Sequence, residues 1–227
     1  MNDVRDSAGG PPANLEPTSR PWIRIVGLCA LALRCMWIAF VVTSVVLSAT
    51  QSALAAPKLA SGAVAIKSKD ASAAKVDFQE AAVHLATSNA AISNPGLKPL
   101  ELVPFVGALY KTVVLGSDAS VHAAIAATAA SDLAGDWEGT NGKPPVFSAG
   151  QVNLETLPQM GGALQVVNAE VNAISGNLAA VPNLPGLSAL KSKATEQLDP
   201  ARAPLNAVTQ MWPAIPDALG ANGPKRY

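Results

Sequence analysis

The sequence predicts an all-α protein: one transmembrane helix followed by an elongated bundle or hairpin of Ala/Leu-rich helices. Three observations carry this. The run Cys35–Ala55 contains no charged residue. Beyond it, apolar residues recur at steps of three and four, most clearly in Leu157, Met160, Leu164, Val167, Val171, Ile174 and Leu178. Clusters of proline and glycine separate the patterned stretches.

The anchor is the first element. Cys35–Ala55 would form a helix of about 21 residues, roughly 31 Å long, which matches a hydrocarbon core of about 30 Å. The wider anchor segment is 22–56, because Trp22–Leu33 is also apolar apart from Arg24. Arg34 interrupts the two stretches and is expected near the interface, where its stem snorkels. Arg20, Arg24 and Arg34 precede the span, and Lys58, Lys67 and Lys69 follow it. The charge bias is nearly balanced, but Arg34 abuts the span and the tail is short. The N-terminus is therefore expected in the cytoplasm and the C-terminal region outside it. A rival reading rests on Ala53-Leu54-Ala55 before Ala56, a small-x-small pattern suited to signal-peptidase cleavage. Cleavage there would release a secreted helical binding protein. The 55 residues before the site far exceed a signal peptide of about 15–30.

Residues 1–21 hold Gly9-Gly10-Pro11-Pro12 and Pro17 without periodicity and read as a disordered cytoplasmic tail. Residues 57–68 read as a short polar linker, and 69–219 as the extracytoplasmic helical region. Its first helix carries Phe78, Ala82, Leu85, Asn89 and Ile92 on one face and ends at Asn94-Pro95-Gly96. The second covers roughly Pro99–Leu133, with a kink or restart at Pro104. Leu102, Phe105, Leu109 and Val113 form its early stripe, and Ala123–Ala130 is nearly all small residues. Residues 134–151 read as loop, with no room for regular structure. The third helix carries the heptad seam named above, which points to coiled-coil or antiparallel packing. Gly161-Gly162 weakens its start, and Pro182 and Pro185-Gly186 end it. The fourth stretch has a stripe through Leu187, Leu190, Ala194, Leu198, Ala201, Leu205, Val208, Trp212, Ile215 and Leu219. A break or kink is expected where Asp199 caps a helix opened by Pro200. None of these helices is expected to sustain a second span.

Composition narrows the function. Apolar residues make up 49% and charged residues 14%, against about 25% charged in a typical domain. Sixteen basic and sixteen acidic residues leave no net charge. This argues against nucleic acid as a partner, since phosphate binding needs clustered positive charge. Cys29 and Cys35 both fall in the apolar segment, on different helical faces. No disulfide framework or thiolate zinc site is expected. His84 and His122 stand alone on helical stretches and are expected to be structural or surface residues. Asp132, Asp136 and Glu138 flank the loop and read as a solvated turn rather than a cation site. Gly107, Gly161-Gly162 and Gly220-Ala221-Asn222-Gly223 match no phosphate-binding pattern, and the serines and threonines lack a paired base. No catalytic, cofactor-binding or metal residue is assigned, and no enzymatic activity is expected.

Two motifs point to a family. The helices carry Leu102-Val103-Pro104-Phe105-Val106-Gly107, and the chain ends in Leu219-Gly220-Ala221-Asn222-Gly223-Pro224-Lys225-Arg226-Tyr227. With a charged tail and single anchor, this resembles the N-terminal part of the domain of unknown function 4012 family, found in actinobacteria and other bacteria, over residues 20–227. The family's leucine-glycine-x-x-glycine-proline-x-x-tyrosine motif leads into a larger domain. The resemblance therefore implies a fragment in which 220–227 opens a missing downstream domain. It also implies an envelope or surface-polysaccharide setting, without an activity. The expected protein is a single-pass cell-envelope membrane protein with an extracytoplasmic stalk or interaction module. Its expected partners are the lipid bilayer and a partner helix or a second copy. The alternatives are the cleaved secreted form and a non-catalytic piece of a larger envelope enzyme.

Overall fold

The computed structural model describes the backbone of residues 21–140, 144–148 and 151–219, and the side chains of 29–140, 144–146 and 151–219. The expected tail, 1–20, and the terminal 220–227 lie outside the described residues. The described chain is all-helical apart from a minimal hairpin, as the periodicity predicts. It divides into two units, Met1–Phe40 and Val41–Tyr227.

Helix α1 spans Pro21–Lys67. In the first unit it exposes Leu31, Leu33, Met36 and Ile38. Residues 57–67, expected as a linker, are helical instead. Pro57 removes one hydrogen bond, to the Ala53 carbonyl. Both residues are exposed, so water can take over that acceptor.

The second unit begins at Val41, and its helices alternate in direction. Helix α2 (Ala71–Ile92) folds back on α1 through a turn at Ser68-Lys69, and Asp70 caps it by accepting from the Ala73 N–H at 2.9 Å. The pairing is heptad on both sides. Helix α2 buries Ala71, Ala74, Phe78, Ala81, Leu85, Ser88 and Ile92. Helix α1 answers with Val41, Ser44, Ser48, Gln51, Ala55, Lys58, Gly62 and Ala65, all buried or half-buried. Small residues bring the two backbones close. A Cβ on Gly62 would lie 2.7 Å from the Phe78 ring. Of the stripe expected on this helix, Ala82 and Asn89 turn instead to α3, so α2 has two packed faces.

Pro95–Leu102 forms a 3₁₀ segment, with Asn94 accepting from the Gly96 N–H. Phe105 then adopts φ 66° and ψ −49°, at the centre of a strained γ-turn in which the Val106 N–H donates to the Pro104 carbonyl at 2.8 Å, before α3 (Val106–Glu138). For a phenylalanine this costs about 1–2 kcal/mol. Gly107 permits the turn, because a Cβ there would meet the Glu101 carbonyl oxygen at 2.4 Å. Below the turn, Ile92, Leu97 and Tyr110 cluster with Val41, and the Tyr110 hydroxyl donates to the Ile92 carbonyl at 2.9 Å. The stripe expected to open this helix is not core: Leu102, Phe105, Leu109 and Val113 are all exposed.

Helix α3 extends to Glu138 and ends on Gly139, at φ 74°. Much of the expected loop 134–151 is thus ordered. Asp132, Asp136 and Glu138 belong to the last turns of α3, and a hairpin pairs β1 (Phe147–Ser148) with β2 (Gln151–Val152). The glycine at position 139 stops the helix by supplying a left-handed cap, a role that composition alone does not separate from a loop. Val146 enters a core with Leu157 and Met160, backed by Leu133 and Trp212.

Helix α4 (Leu157–Ala180) packs antiparallel on α3, and no residue of its predicted seam is exposed. Helix α5 (Ser188–Met211) runs back along α4. Of the break or kink predicted at Asp199-Pro200, the break does not occur: the helix runs through. Pro200 and Pro204 sit four apart on an exposed face, where water can reach the carbonyls they leave unbonded. Its covered stripe also shifts, to Lys191, Thr195, Leu198, Arg202, Leu205, Thr209 and Trp212, leaving Leu190 and Val208 exposed. A 3₁₀ turn, Trp212–Ala214, and the short α6 (Ile215–Ala218) follow.

Candidate functional site

Two described helices, α1 over Cys29–Lys67 and α3 over Val106–Glu138, are long and apolar enough to cross a membrane. The second qualifies on length and composition alone. Ala123–Ala130 raises the apolar content of α3 despite Asp118 and His122. The two helices differ in cover. On α1 the apolar surface continues past Phe40 through exposed Val42, Val45, Val46 and Leu47. Helix α3 lies between α2 and α4 and buries Ala124, Ala126 and Ala129.

A polar network ties the three central helices together. Asp118 on α3 accepts from the side-chain amides of Asn89 on α2, at 3.1 Å, and Asn177 on α4, at 2.7 Å. One turn on, His122 is hydrogen-bonded through Nδ1 to Glu170 of α4, while its Nε2 lies 3.4 Å from Asp118. The histidine that looked solitary therefore sits between two carboxylates. Glu170 is 48 residues away in sequence, which local spacing cannot reveal. His84 likewise pairs with Gln51 of α1 at 2.7 Å. Beside it the Ser88 hydroxyl, fully buried, bonds to Ser48 at 2.7 Å and Ser52 at 3.0 Å. These groups bond to one another across the helix interfaces. Their chemistry is that of register keys between helices, where a polar residue in an apolar seam fixes the pairing.

A groove of about 990 Å³ runs over α3 between α2 and α4. Ala82, Val83, Ala129, Gly162 and Val166 give it small apolar walls, and the Lys75–Asp132 ion pair, at 2.6 Å, closes one side. A Cβ on Gly162 would meet nothing within 4 Å, whereas one on Gly161 would lie 2.5 Å from the Trp212 indole. That indole N–H donates to the Leu157 carbonyl at 3.1 Å. The glycine pair thus has two jobs: one seats Trp212, the other opens the groove.

Among the described residues, no three His, Cys, Asp or Glu side chains are grouped to hold a metal ion. Cys29 and Cys35 are exposed free thiols. Asp136 is buried, and Asp132 is committed to Lys75. Gly220-Ala221-Asn222-Gly223 lies outside the described residues. Compared with known protein families, curated proteins and solved structures, the chain finds no match.

Proposed function

We propose that this is a single-span membrane protein whose helical region forms a non-catalytic stalk or interaction module in a cell envelope. The observation that carries it is the uncovered apolar face of α1, from Leu31 through Met36 and Val42 to Val46. Water-exposed, such a continuous surface would drive aggregation; in lipid it is satisfied.

Packing moves the proposed span toward the N-terminus. A span over Cys35–Ala55 would carry into the bilayer whatever packs beside it. Given the antiparallel pairing, that includes Lys98, Glu101, Lys111 and Asp118. Within its own sequence, a span over roughly 25–42 has one charged residue, Arg34. Each charge at mid-bilayer costs ~3 kcal/mol on insertion scales, so one snorkelling arginine is preferred to four charges. About 18 residues still give roughly 27 Å of helix, within the lower range for a span. Helix α3 is better read as a core helix, because Asp118 and His122 are held by partners from both neighbours.

Cleavage after Ala55 fits less well. Ala55 is fully buried against Ala81, Leu85 and Ala124, and cleavage would remove Val41–Ala55 from the seam with α2. The groove supports the interaction reading, since its small-residue walls admit a partner helix. Membership of the domain of unknown function 4012 family, resting on the motifs at 102–107 and 219–227, remains part of this proposal and supplies its envelope setting.

Alkaline carbonate extraction of membranes tests the anchor. The full chain should stay in the pellet and begin at its original N-terminus on sequencing; release, or a start at Ala56, overturns single-span anchoring. Protease added to intact cells should digest the helical region and spare the tail. The reverse pattern overturns the orientation.

A further inference from the structure

We infer that the face of α1 turned away from α2, over residues 46–63, is a docking surface for the same face of a second copy of this chain. The inference rests on the anchored reading above and deepens it by naming a partner. Val46, Ala49, Ala53, Ala56, Ala60 and Ala63 are all exposed and advance by steps of three and four, with exposed Val42 one step ahead. The row is offset by two residues from the seam that α2 covers, which runs from Ser44 and Ser48 to Ala65. Two residues turn the helix by about 200°, so the row lies on the opposite side. Exposed Val45 and Val64 widen it. Sustained over about three heptads, such a row marks a coiled-coil seam rather than scattered surface residues. The polar side chains of the same stretch are engaged toward α2. Ser48 and Ser52 bond to Ser88, Gln51 to His84, and Ser61 to Asp77. Lys58, the one charged residue in 41–66, is ion-paired to Glu80 and Asp77.

Side-chain size and charge identify the occupant. If the span ends near residue 42, the outer face of 43–66, roughly 36 Å of helix, stays apolar beyond the hydrocarbon and needs another cover. Five of the six residues in the row are alanine. Alanine offers little surface to lipid, but it lets two helix backbones approach closely. A parallel two-fold pair sets each seam residue beside its own copy, so any charge there would face a like charge. This face carries none, because Glu80 and Asp77 draw Lys58 toward α2. Two chains that leave one bilayer at the same residue emerge side by side and in the same sense. The pairing is therefore parallel and in register, α1 against α1. It shares no residue with the groove over α3, which stays open to a separate partner.

Full-length protein with Cys29→Ala and Cys35→Ala, in phosphatidylcholine–phosphatidylglycerol vesicles, tests this through single-cysteine variants. Ala49→Cys, Ala56→Cys and Ala63→Cys lie on the row; Leu54→Cys and Ser192→Cys are exposed sites off it. Oxidation by copper phenanthroline should link dimers at 49, 56 and 63, where a parallel pair brings the Cα atoms within roughly 7 Å, and give little at 54 or 192. Ala56→Lys and Ala56→Glu should each lower the dimer population about tenfold, and mixing the two variants should restore it. Unchanged circular dichroism separates lost pairing from lost folding, and the cysteine pattern decides if either variant fails to fold. Equal linking at all five sites, or folded Lys and Glu variants that do not rescue each other, overturns the inference. A fluorophore at 56 quenched by spin-labelled lipid would mean that the bilayer covers this face, which also overturns it. So does linking at 56 in cells to a protein of another mass. A monomer that stays in the carbonate pellet overturns the pairing and leaves the anchor standing; release from the pellet sinks the anchored reading itself.

Discussion

Gly161 and Gly162 are adjacent and identical, but their surroundings give opposite predictions. An alanine at 161 collides with the Trp212 indole, only 2.5 Å away. Gly161→Ala should therefore expel Trp212 and lower stability by about 1–3 kcal/mol. At 162 there is open space, and relief of glycine's backbone entropy should raise stability by up to about 1 kcal/mol. Thermal melts of the two variants should move in opposite directions. Tyr110 makes a second prediction. Desolvation, with Glu101 adding to it, raises its pKa above 10.0. The folded state thus favours the neutral phenol: its contribution is intact below pH 10 and is lost as pH rises beyond it. Lys58, raised by its hydrogen bond to Glu80, is exposed and should add little to the same alkaline limb. Tyr110→Phe should cost about 1 kcal/mol at neutral pH through the lost bond to Ile92, and should flatten the decline above pH 10.

At the scale of elements, the long helices tolerate interruptions wherever the affected carbonyls face water. Pro200 and Pro204 should weaken α5 without breaking it, so Pro200→Ala should raise helicity and stability by about 1–3 kcal/mol, read by circular dichroism and melting. Asp118 acts between elements. Asp118→Ala leaves the amides of Asn89 and Asn177 without their acceptor and should cost about 1–2 kcal/mol, discounted for partial exposure. The seam of α4 was legible because its heptad stripe coincides with the face that α3 and α5 cover. The stripe of α2 was legible only in part, because α1 and α3 claim different faces of it. In α5 the pattern misled: exposed Leu190 and Val208 look like core in sequence, while Arg202 and Thr209 occupy the covered line.

For the whole molecule, the proposed function assigns the groove over α3 to a helical partner and the uncovered face of α1 to a bilayer. Gly162→Trp fills the groove without touching the core, so chemical crosslinking of the full-length protein to a helical partner or second copy should disappear while carbonate-resistant membrane association is unchanged. Loss of both together would mean that the groove is not a separate interaction surface. The amino-acid sequence by itself determined the helical class, the presence of a long apolar N-terminal helix and the heptad seam of α4, because hydrophobic periodicity and uninterrupted apolar length are local properties of the chain. Only the tertiary structure decided that Val41–Ala65 pairs with α2, that Asp118, His122 and Glu170 meet, and that Leu102 and Phe105 are left uncovered. Those outcomes depend on which helix face meets which neighbour. Periodicity fixes the existence of an apolar face, and packing between distant segments fixes what covers it.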